Sequence, residues 1–248
     1  MIDGRAPLEV FDEIDSTILE ARRRAERGDA QPVWLIAKRQ TAGRGRRGRS
    51  WVSPEGNLMA TYLFATTRPP AEIALLGFVA GVAIAETFEA LCVEGAVTLK
   101  WPNDVMIAGG KAAGILIDSG GLQGGGVWVA LAFGVNVAHA PDALDQPTAC
   151  LRNAIAHSGA LSAIDVFAVL RPKLEAWAAR LLSESFAPVR AAWMSRAHGL
   201  GRDVQVRQGE EMLTGRFSGI SASGELELDT GTGRRLISAG DIYFSNAA

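Results

Sequence analysis

The sequence predicts an α+β fold: a mixed central sheet flanked by helices, then a small C-terminal β-barrel. Three observations carry this. Apolar extended runs such as Val33 to Ala37 and Val127 to Val137 alternate with helical segments in the first 197 residues. Ile164, Phe167, Leu170, Leu174, Trp177 and Leu181 recur at three- and four-residue spacing from Ala163 to Leu182, a helix with an apolar stripe. Near His198 the pattern changes to short alternating runs separated every 6–10 residues by glycines or polar turns, the signature of a small antiparallel barrel. The expected domains are 1–197 and 198–248. At 248 residues, 48% hydrophobic and 21% charged, the chain can bury a core without disulfide or metal staples.

Asp15 and Ser16 are N-cap residue types ahead of a helix that Gly28 can close. Val33 to Ala37 reads as a buried strand, Thr41 to Ser50 as a loop, and Asn57 to Ala65 as a strand. Ala71 to Leu91 is apolar at nearly every turn and reads as a helix buried on much of its surface. Val97 to Trp101 and Asp104 to Ile107 are short strands interrupted by Pro102-Asn103. Ala108-Gly109-Gly110 signals a tight turn into a strand from Lys111 to Asp118. Gly120 to Gly126 is a further turn before the strand Val127 to Val137. Ser162 and Asp165 form a capping-box variant for the helix at 163–182. The C-terminal strands centre on Val204-Val206, Leu213 to Phe217, Leu226 to Leu228, Leu236-Ile237 and Ile242 to Phe244.

Composition excludes several classes. Cys92 and Cys150 have neither zinc-ligand nor disulfide-framework spacing and fit a reducing compartment. The longest uncharged apolar run, Ile73 to Ala85, has 13 residues, too short to span a bilayer, and no basic-then-apolar leader opens the chain. The expected location is cytoplasmic, with no membrane partner. Net charge is −2, which gives no bulk attraction for nucleic acid. The charge is unevenly placed: six of the 25 basic residues lie between Lys38 and Arg49, leaving 19 against 27 acidic residues elsewhere.

That cationic segment contains G-R-G-R-R-G-R, Gly43 to Arg49. Glycine lets the backbone approach a ligand closely, and successive N–H groups in such a loop form an anion-binding concavity. Arginine adds planar donors that grip a carboxylate or phosphate two bonds at a time. Three readings stand for the segment alone: a loop wrapping an anionic small molecule, a nucleic-acid tether, or a solvated surface loop. No G-x-x-x-x-G-K-[ST] phosphate loop occurs. A second constellation is K-W-P-N-D, Lys100 to Asp104, followed by G-K-A-A-G-I-L-I-D, Gly110 to Asp118. A hairpin turning near Gly109 brings Asp104 and Lys111 together, supplying a metal-ligand candidate and a point charge for a phosphate or carboxylate.

Together these residues resemble the biotin protein ligases. The resemblance rests on D-S-T (Asp15 to Thr17), Q-T-A-G-R-G-R-R-G-R (Gln40 to Arg49), W-x-S-P-x-G-N-L (Trp51 to Leu58), K-W-P-N-D, G-K-A-A-G-I-L and G-V-N-V (Gly134 to Val137), in the family's order and spacing from about Ile14 to Val137. It implies a catalytic domain of the biotin–lipoate ligase type, akin to class II aminoacyl-tRNA synthetases, with an SH3-like barrel behind it. It implies a two-step reaction in which biotin and ATP form biotinyl-5′-AMP, and the biotinyl group then passes to a lysine of a biotin carboxyl carrier protein, as in acetyl-CoA carboxylase. Such an intermediate is an anionic, hydrolysable mixed anhydride and needs cationic donors under a closing loop.

By motif position, the resemblance implies that Ser16, Thr17 and Gln40 hydrogen-bond the ureido ring. Gly43, Arg44 and Arg46 would close over the biotin carboxyl and the adenylate phosphate. Lys111 would orient the carboxylate and, with Arg46, stabilise charge at the α-phosphate. Gly114 would let the strand approach biotin, Asp104 would position the ATP phosphates or Mg²⁺, and Asn136 would contact the nucleotide. Arg47 and Arg49 would act as loop electrostatics. Ile18 stands where the family often has Asn, and 138–151 holds no aromatic to stack on adenine. The stretch before Asp15 is too short for a helix-turn-helix module, so a ligase without repressor activity is expected, a monomer or a homodimer with no nucleic-acid partner. The competing enzyme is a lipoate or octanoate ligase; the competing class is a nucleic-acid-binding module using the arginine loop.

Overall fold

A computed structural model describes residues 2, 5–141, 146–156 and 161–244. The first sheet has seven strands in the order β1-β2-β3-β7-β6-β5-β4. These are β1 (Leu8–Ile14), β2 (Val33–Gln40), β3 (Leu58–Thr66), β4 (Val97–Lys100), β5 (Asp104–Ile107), β6 (Gly110–Gly121) and β7 (Val127–Val135). Only β1 and β2 run parallel; every other neighbour pair is antiparallel. The sheet is therefore mixed, as expected.

Helices cover both faces, which is why the central strands read as continuous apolar runs. Helix α1 (Thr17–Glu26) lays Ile18, Ala21 and Ala25 against Leu35, Leu63, Ala130 and Ala132. The other face carries Trp34, Tyr62, Phe64 and Phe133 beneath α3 (Leu76–Ala90) and α5 (Ala163–Glu184), with the short α4 (Leu151–Ala154) between them in the chain. The capping box at Ser162 and Asp165 is formed. Ile164, counted in the apolar stripe, is exposed at the first turn of α5.

The expected helix at 71–91 occurs as α2 (Pro70–Ala74) leading into α3. Taken together, Pro70–Ala90 is long and apolar enough by length and composition to cross a membrane, which corrects the inference drawn from the 13-residue run alone. Its most apolar window is 67% buried against the rest of the chain, as a core helix should be.

Strand β1 escapes sequence patterning because it is an edge strand studded with acids. Its Asp12 and Glu13 pair with Lys38 (2.7 Å) and Arg39 (2.8 Å) of β2. Two of the six cations between 38 and 49 thus belong to a strand and already have counter-ions.

The C-terminal part holds α6 (Ala187–Met194), for which the sequence offers only a short, weakly periodic stretch, and five strands: β8 (Asp203–Gln208), β9 (Glu211–Ile220), β10 (Leu226–Thr230), β11 (Gly233–Ile237) and β12 (Asp241–Phe244). All five expected strands form, in the order β11-β10-β9-β8-β12. The barrel is not closed by hydrogen bonds, because β11 and β12 remain unpaired edges among the described residues. A register shift between Glu227 and Leu228 lets the sheet coil over its own apolar face, where Val204, Val206, Phe217, Leu226 and Ile242 are buried.

This sheet is seated firmly on the first. Leu99 of β4 bonds the backbone on both sides of the junction, accepting from His198 (2.8 Å) and donating to Arg196 (2.7 Å). Trp101 Nε1 donates to the carbonyl of Gly224 (3.2 Å). Gly224 itself packs on Phe78, where an added Cβ would lie 2.7 Å from the ring.

Candidate active site

A cleft of about 860 Å³ opens between the segment 40–52, the faces of β6 and β7, the β5–β6 hairpin, and strands β8 and β12. Ser16, Thr17, Gln40, Arg44, Arg46, Lys111 and Gly114 line it, so most of the motif residues converge. Gly43, Asp104 and Asn136 do not reach its wall.

The inner end is polar and buried. Ser16 caps α1 without a side-chain capping bond, leaving its hydroxyl at the cleft. Thr17 sends both its backbone N–H (2.8 Å) and its hydroxyl (3.1 Å) to Gln40 Oε1. Gln40 Nε2 donates to Ser53 Oγ (2.9 Å).

The floor is built by glycine pairing. Gly114 of β6 and Gly134 of β7 face each other in register. The indole of Trp51 lies in the trough they leave: a Cβ on Gly134 would sit 2.5 Å from Cε2 of that ring, and one on Gly114 would sit 3.1 Å from Cζ3. Gly43 plays a similar part within the loop, where a side chain would collide with Ser53 Oγ. Its own carbonyl accepts from Trp51 N (2.9 Å).

Cations gather at the other end. Lys111 Nζ stands 2.7 Å from Asp104 Oδ1, as the hairpin spacing anticipated, and 5.4 Å from the Trp51 ring centre. That carboxylate oxygen accepts no hydrogen bond of acceptable angle, so the contact is an ion pair by distance only. Lys100 Nζ donates to Gln146 Oε1 (3.0 Å), and burial pushes its ammonium below the usual lysine range, against the pull of Asp104. Arg46 donates to Asn103 Oδ1 (3.2 Å), and burial lowers its guanidinium too, with Asp241 pulling the other way. Asn103 is held by its own bond to the Ile115 carbonyl (2.8 Å). These two cations are short of both water and counter-charge, a condition that an anionic ligand relieves.

Among the described lining residues, Arg44, Arg46, Arg49, Lys100, Lys111 and Arg207 face a single carboxylate, Asp241. Asp241 pairs with Arg47 (3.2 Å) and with Arg49. The loop therefore splits its arginines: Arg46 turns inward, while Arg47, in a left-handed conformation (φ 55°), and Arg49 grip the C-terminal sheet.

Asn136 is 1% exposed and braces the floor from behind. Its Nδ2 donates to the carbonyls of Lys111 (3.3 Å) and Ala149 (3.1 Å), and its Oδ1 is buried without a partner. Residues 142–145, part of the stretch expected to hold adenine without an aromatic, lie outside the described residues. Sequence reasoning gave no role to Lys100, Asn103, Ser53, Thr61 or Asp241. The K-W-P-N-D run signalled the first two and W-x-S-P the third; nothing local marks Thr61 or Asp241.

Comparison with known proteins agrees with the fold. The biotin/lipoate A/B protein ligase family matches residues 11–137, and the biotin protein ligase C-terminal domain matches residues 199–245. The biotin–[acetyl-CoA-carboxylase] ligase of Paracoccus denitrificans is 39% identical over 236 residues, covering 93% of this chain and 97% of that protein. The structure resembles the biotin protein ligase of Aquifex aeolicus in complex with biotin and ATP, with a TM-score of 0.77 and 28% identity over 96% of this chain and 97% of that one. It also resembles the Leishmania major enzyme in complex with biotinyl-5-AMP, with a TM-score of 0.60 and 25% identity over 94% and 99%. The chain belongs to the biotin protein ligase family.

Proposed function

We propose that the protein activates biotin with ATP, forming biotinyl-5′-AMP and releasing pyrophosphate, and then biotinylates one lysine of a carboxyl carrier protein of the acetyl-CoA carboxylase kind. One observation carries this reading. A single cleft holds a neutral hydrogen-bonding end at Ser16, Thr17 and Gln40 and a cationic end at Arg46, Lys100 and Lys111, joined by a glycine floor. That order matches a ureido ring, a valeryl chain, a carboxylate and a phosphate.

In the first step a carboxylate oxygen of biotin attacks the α-phosphorus, and the bond to the β-phosphate oxygen breaks. Lys111 and Arg46 offset the charge that grows on the α-phosphoryl oxygens. Arg44 and Gly43 belong to the loop segment that covers the product and excludes water. Gly114 lets the chain run close to β6. In the second step the uncharged amine of the carrier lysine attacks the acyl carbon, and AMP leaves. Asp104 and Asn136 act through Lys111, the first as its counter-ion and the second by holding its backbone.

Mg²⁺ is not given a protein cage: no three His, Cys, Asp or Glu side chains converge among the described residues, and the nearby Asp104 carboxylate is engaged by Lys111. The division near residue 198 belongs to the same proposal and is supported by the separate family match at 199–245; a cytoplasmic location is proposed with it.

The test is pyrophosphate–ATP exchange measured with biotin, lipoate and octanoate side by side, followed by the mass of a carrier domain after incubation. Exchange with biotin and one added biotinyl group are expected. Exchange driven by lipoate alone would overturn the assignment.

A further inference from the structure

Behind the ureido end lies a hydrogen-bond chain whose direction can be deduced. Thr61, on β3 and fully buried, is 2.8 Å from Thr17 Oγ1. Thr17 Oγ1 is 3.1 Å from Gln40 Oε1, Gln40 Nε2 is 2.9 Å from Ser53 Oγ, and Ser53 Oγ is 3.1 Å from the carbonyl of Trp51. Amide and hydroxyl orientations are ordinarily a matter of assignment. Here the two ends of the chain decide them. The backbone N–H of Thr17 can only donate, so the Gln40 atom 2.8 Å from it must be oxygen. Thr17 must then give its hydroxyl proton to that oxygen, and Thr61 must give its own to Thr17. At the other end the Trp51 carbonyl can only accept, so Ser53 donates to it and accepts from Gln40.

The consequence falls on what the cleft is offered. Thr17 Oγ1 has spent its proton and keeps one lone pair, so it presents an acceptor. Gln40 Nε2 keeps one N–H without a partner among the described residues, so it presents a donor. A cyclic urea offers an N–H beside a carbonyl, the complement of that pair.

We infer that Thr61 and Ser53, neither of which lines the cleft, are positioning residues: the backbone N–H of Thr17 fixes which Gln40 atom is oxygen, and Thr61 and Ser53 hold Thr17 Oγ1 and Gln40 Nε2 so that the acceptor and donor left over meet a urea ring. Ser53 also ties Gln40 to the backbone of Trp51, which links occupation of the inner end to the loop. The inference deepens the biotin reading and rests on it.

The test measures pyrophosphate exchange with biotin and ATP varied separately in the parent, Thr61→Val, Thr61→Ser and Ser53→Ala. It adds the imino analogue of biotin, in which NH replaces the urea oxygen. If freeing Thr17 Oγ1 costs the complex about one net hydrogen bond to the ring, Thr61→Val raises KM for biotin roughly five- to tenfold, with kcat and KM for ATP within about twofold. Its preference for biotin over the imino analogue should fall, and Thr61→Ser should restore both. Ser53→Ala, placed nearer the surface, should show the same split and serves if Thr61→Val folds poorly. An active parent with Thr61→Val and Ser53→Ala both unchanged toward biotin and the analogue overturns the inference alone. So does a rise in KM for biotin and ATP alike that Thr61→Ser does not reverse, since that is a packing effect. A parent without biotin-dependent exchange removes the functional reading and this inference with it.

Discussion

Asp241 of β12 is paired with Arg49 of the loop across 192 residues of sequence, and the same carboxylate oxygen holds Arg47. The C-terminal sheet thereby fastens the segment that covers the cleft. Asp241 is at 17% side-chain exposure but Arg47 and Arg49 are at 36% and 60%, so water and salt screen each pair, and the restraint comes from two arginines sharing one carboxylate. Asp241→Asn should release the loop. Trypsin should then cut at its arginines several-fold faster without ligand, and free biotinyl-5′-AMP should escape at a higher rate. Unchanged cleavage and unchanged release would show that the pairing does not restrain the loop.

The trough between Gly114 and Gly134 leads to a graded expectation. A methyl group on Gly134 overlaps the Trp51 indole, while one on Gly114 meets it at 3.1 Å, a distance small shifts can absorb. Gly134→Ala should reduce exchange by more than tenfold, and Gly114→Ala by less. Equal losses in the two variants would mean that Trp51 is not what the glycines accommodate.

Removing Lys111 has two consequences that can be separated. Lys111→Ala should slow adenylate formation by more than it weakens biotin binding, read by single-turnover AMP formation and calorimetry. It also takes from Asp104, whose side chain is 12% exposed, the cation 2.7 Å away, and leaving a partly buried polar group short of a partner costs about 1–3 kcal/mol. The double variant Lys111→Ala/Asp104→Ala should recover part of the lost stability in urea melts but none of the rate. Recovery of rate would remove Lys111 from the chemistry.

His198 leads to a pH expectation. Burial, helped by Lys100 and Arg202, holds its imidazole below the ordinary 6.5, so the folded state resists protonation more than the unfolded chain does. Stability is present above about pH 6.5 and is lost as pH falls from there through the folded-state value. His198→Gln keeps a polar partner for Thr98, now 3.1 Å from Nδ1, and should flatten the dependence of Tm on pH between about 5 and 7. A variant whose Tm falls with acid as steeply as the parent's would assign that loss to other groups.

Much of the site was legible because it is local. Lys111 and Asp104 are seven positions apart on one hairpin, and strand geometry with a glycine turn is enough to join them. The glycine–arginine loop declares itself by composition, and the five C-terminal strands by alternation. What escaped was nonlocal. Strand β1 is an edge whose acids are neutralised by β2, so its sequence looks like solvated surface. Asn136, expected by motif position to contact the nucleotide, donates to the backbone of Lys111 and Ala149, a bracing decided by which side of β7's end the chain packs.

Sequence alone determined most of the helices, strands and loops, though not β1 or α6, and which short motifs carry charge or close backbone approach, because propensity, turn chemistry and periodicity act over a few residues. Only the tertiary structure decided that Asp241 enters the cleft, that Arg47 and Arg49 pair with it while Arg46 bonds Asn103, and that Thr61 and Ser53 stand behind Thr17 and Gln40. Those relationships join residues far apart in the chain, and hydrogen-bond direction and ion pairing depend on where distant backbones come to rest.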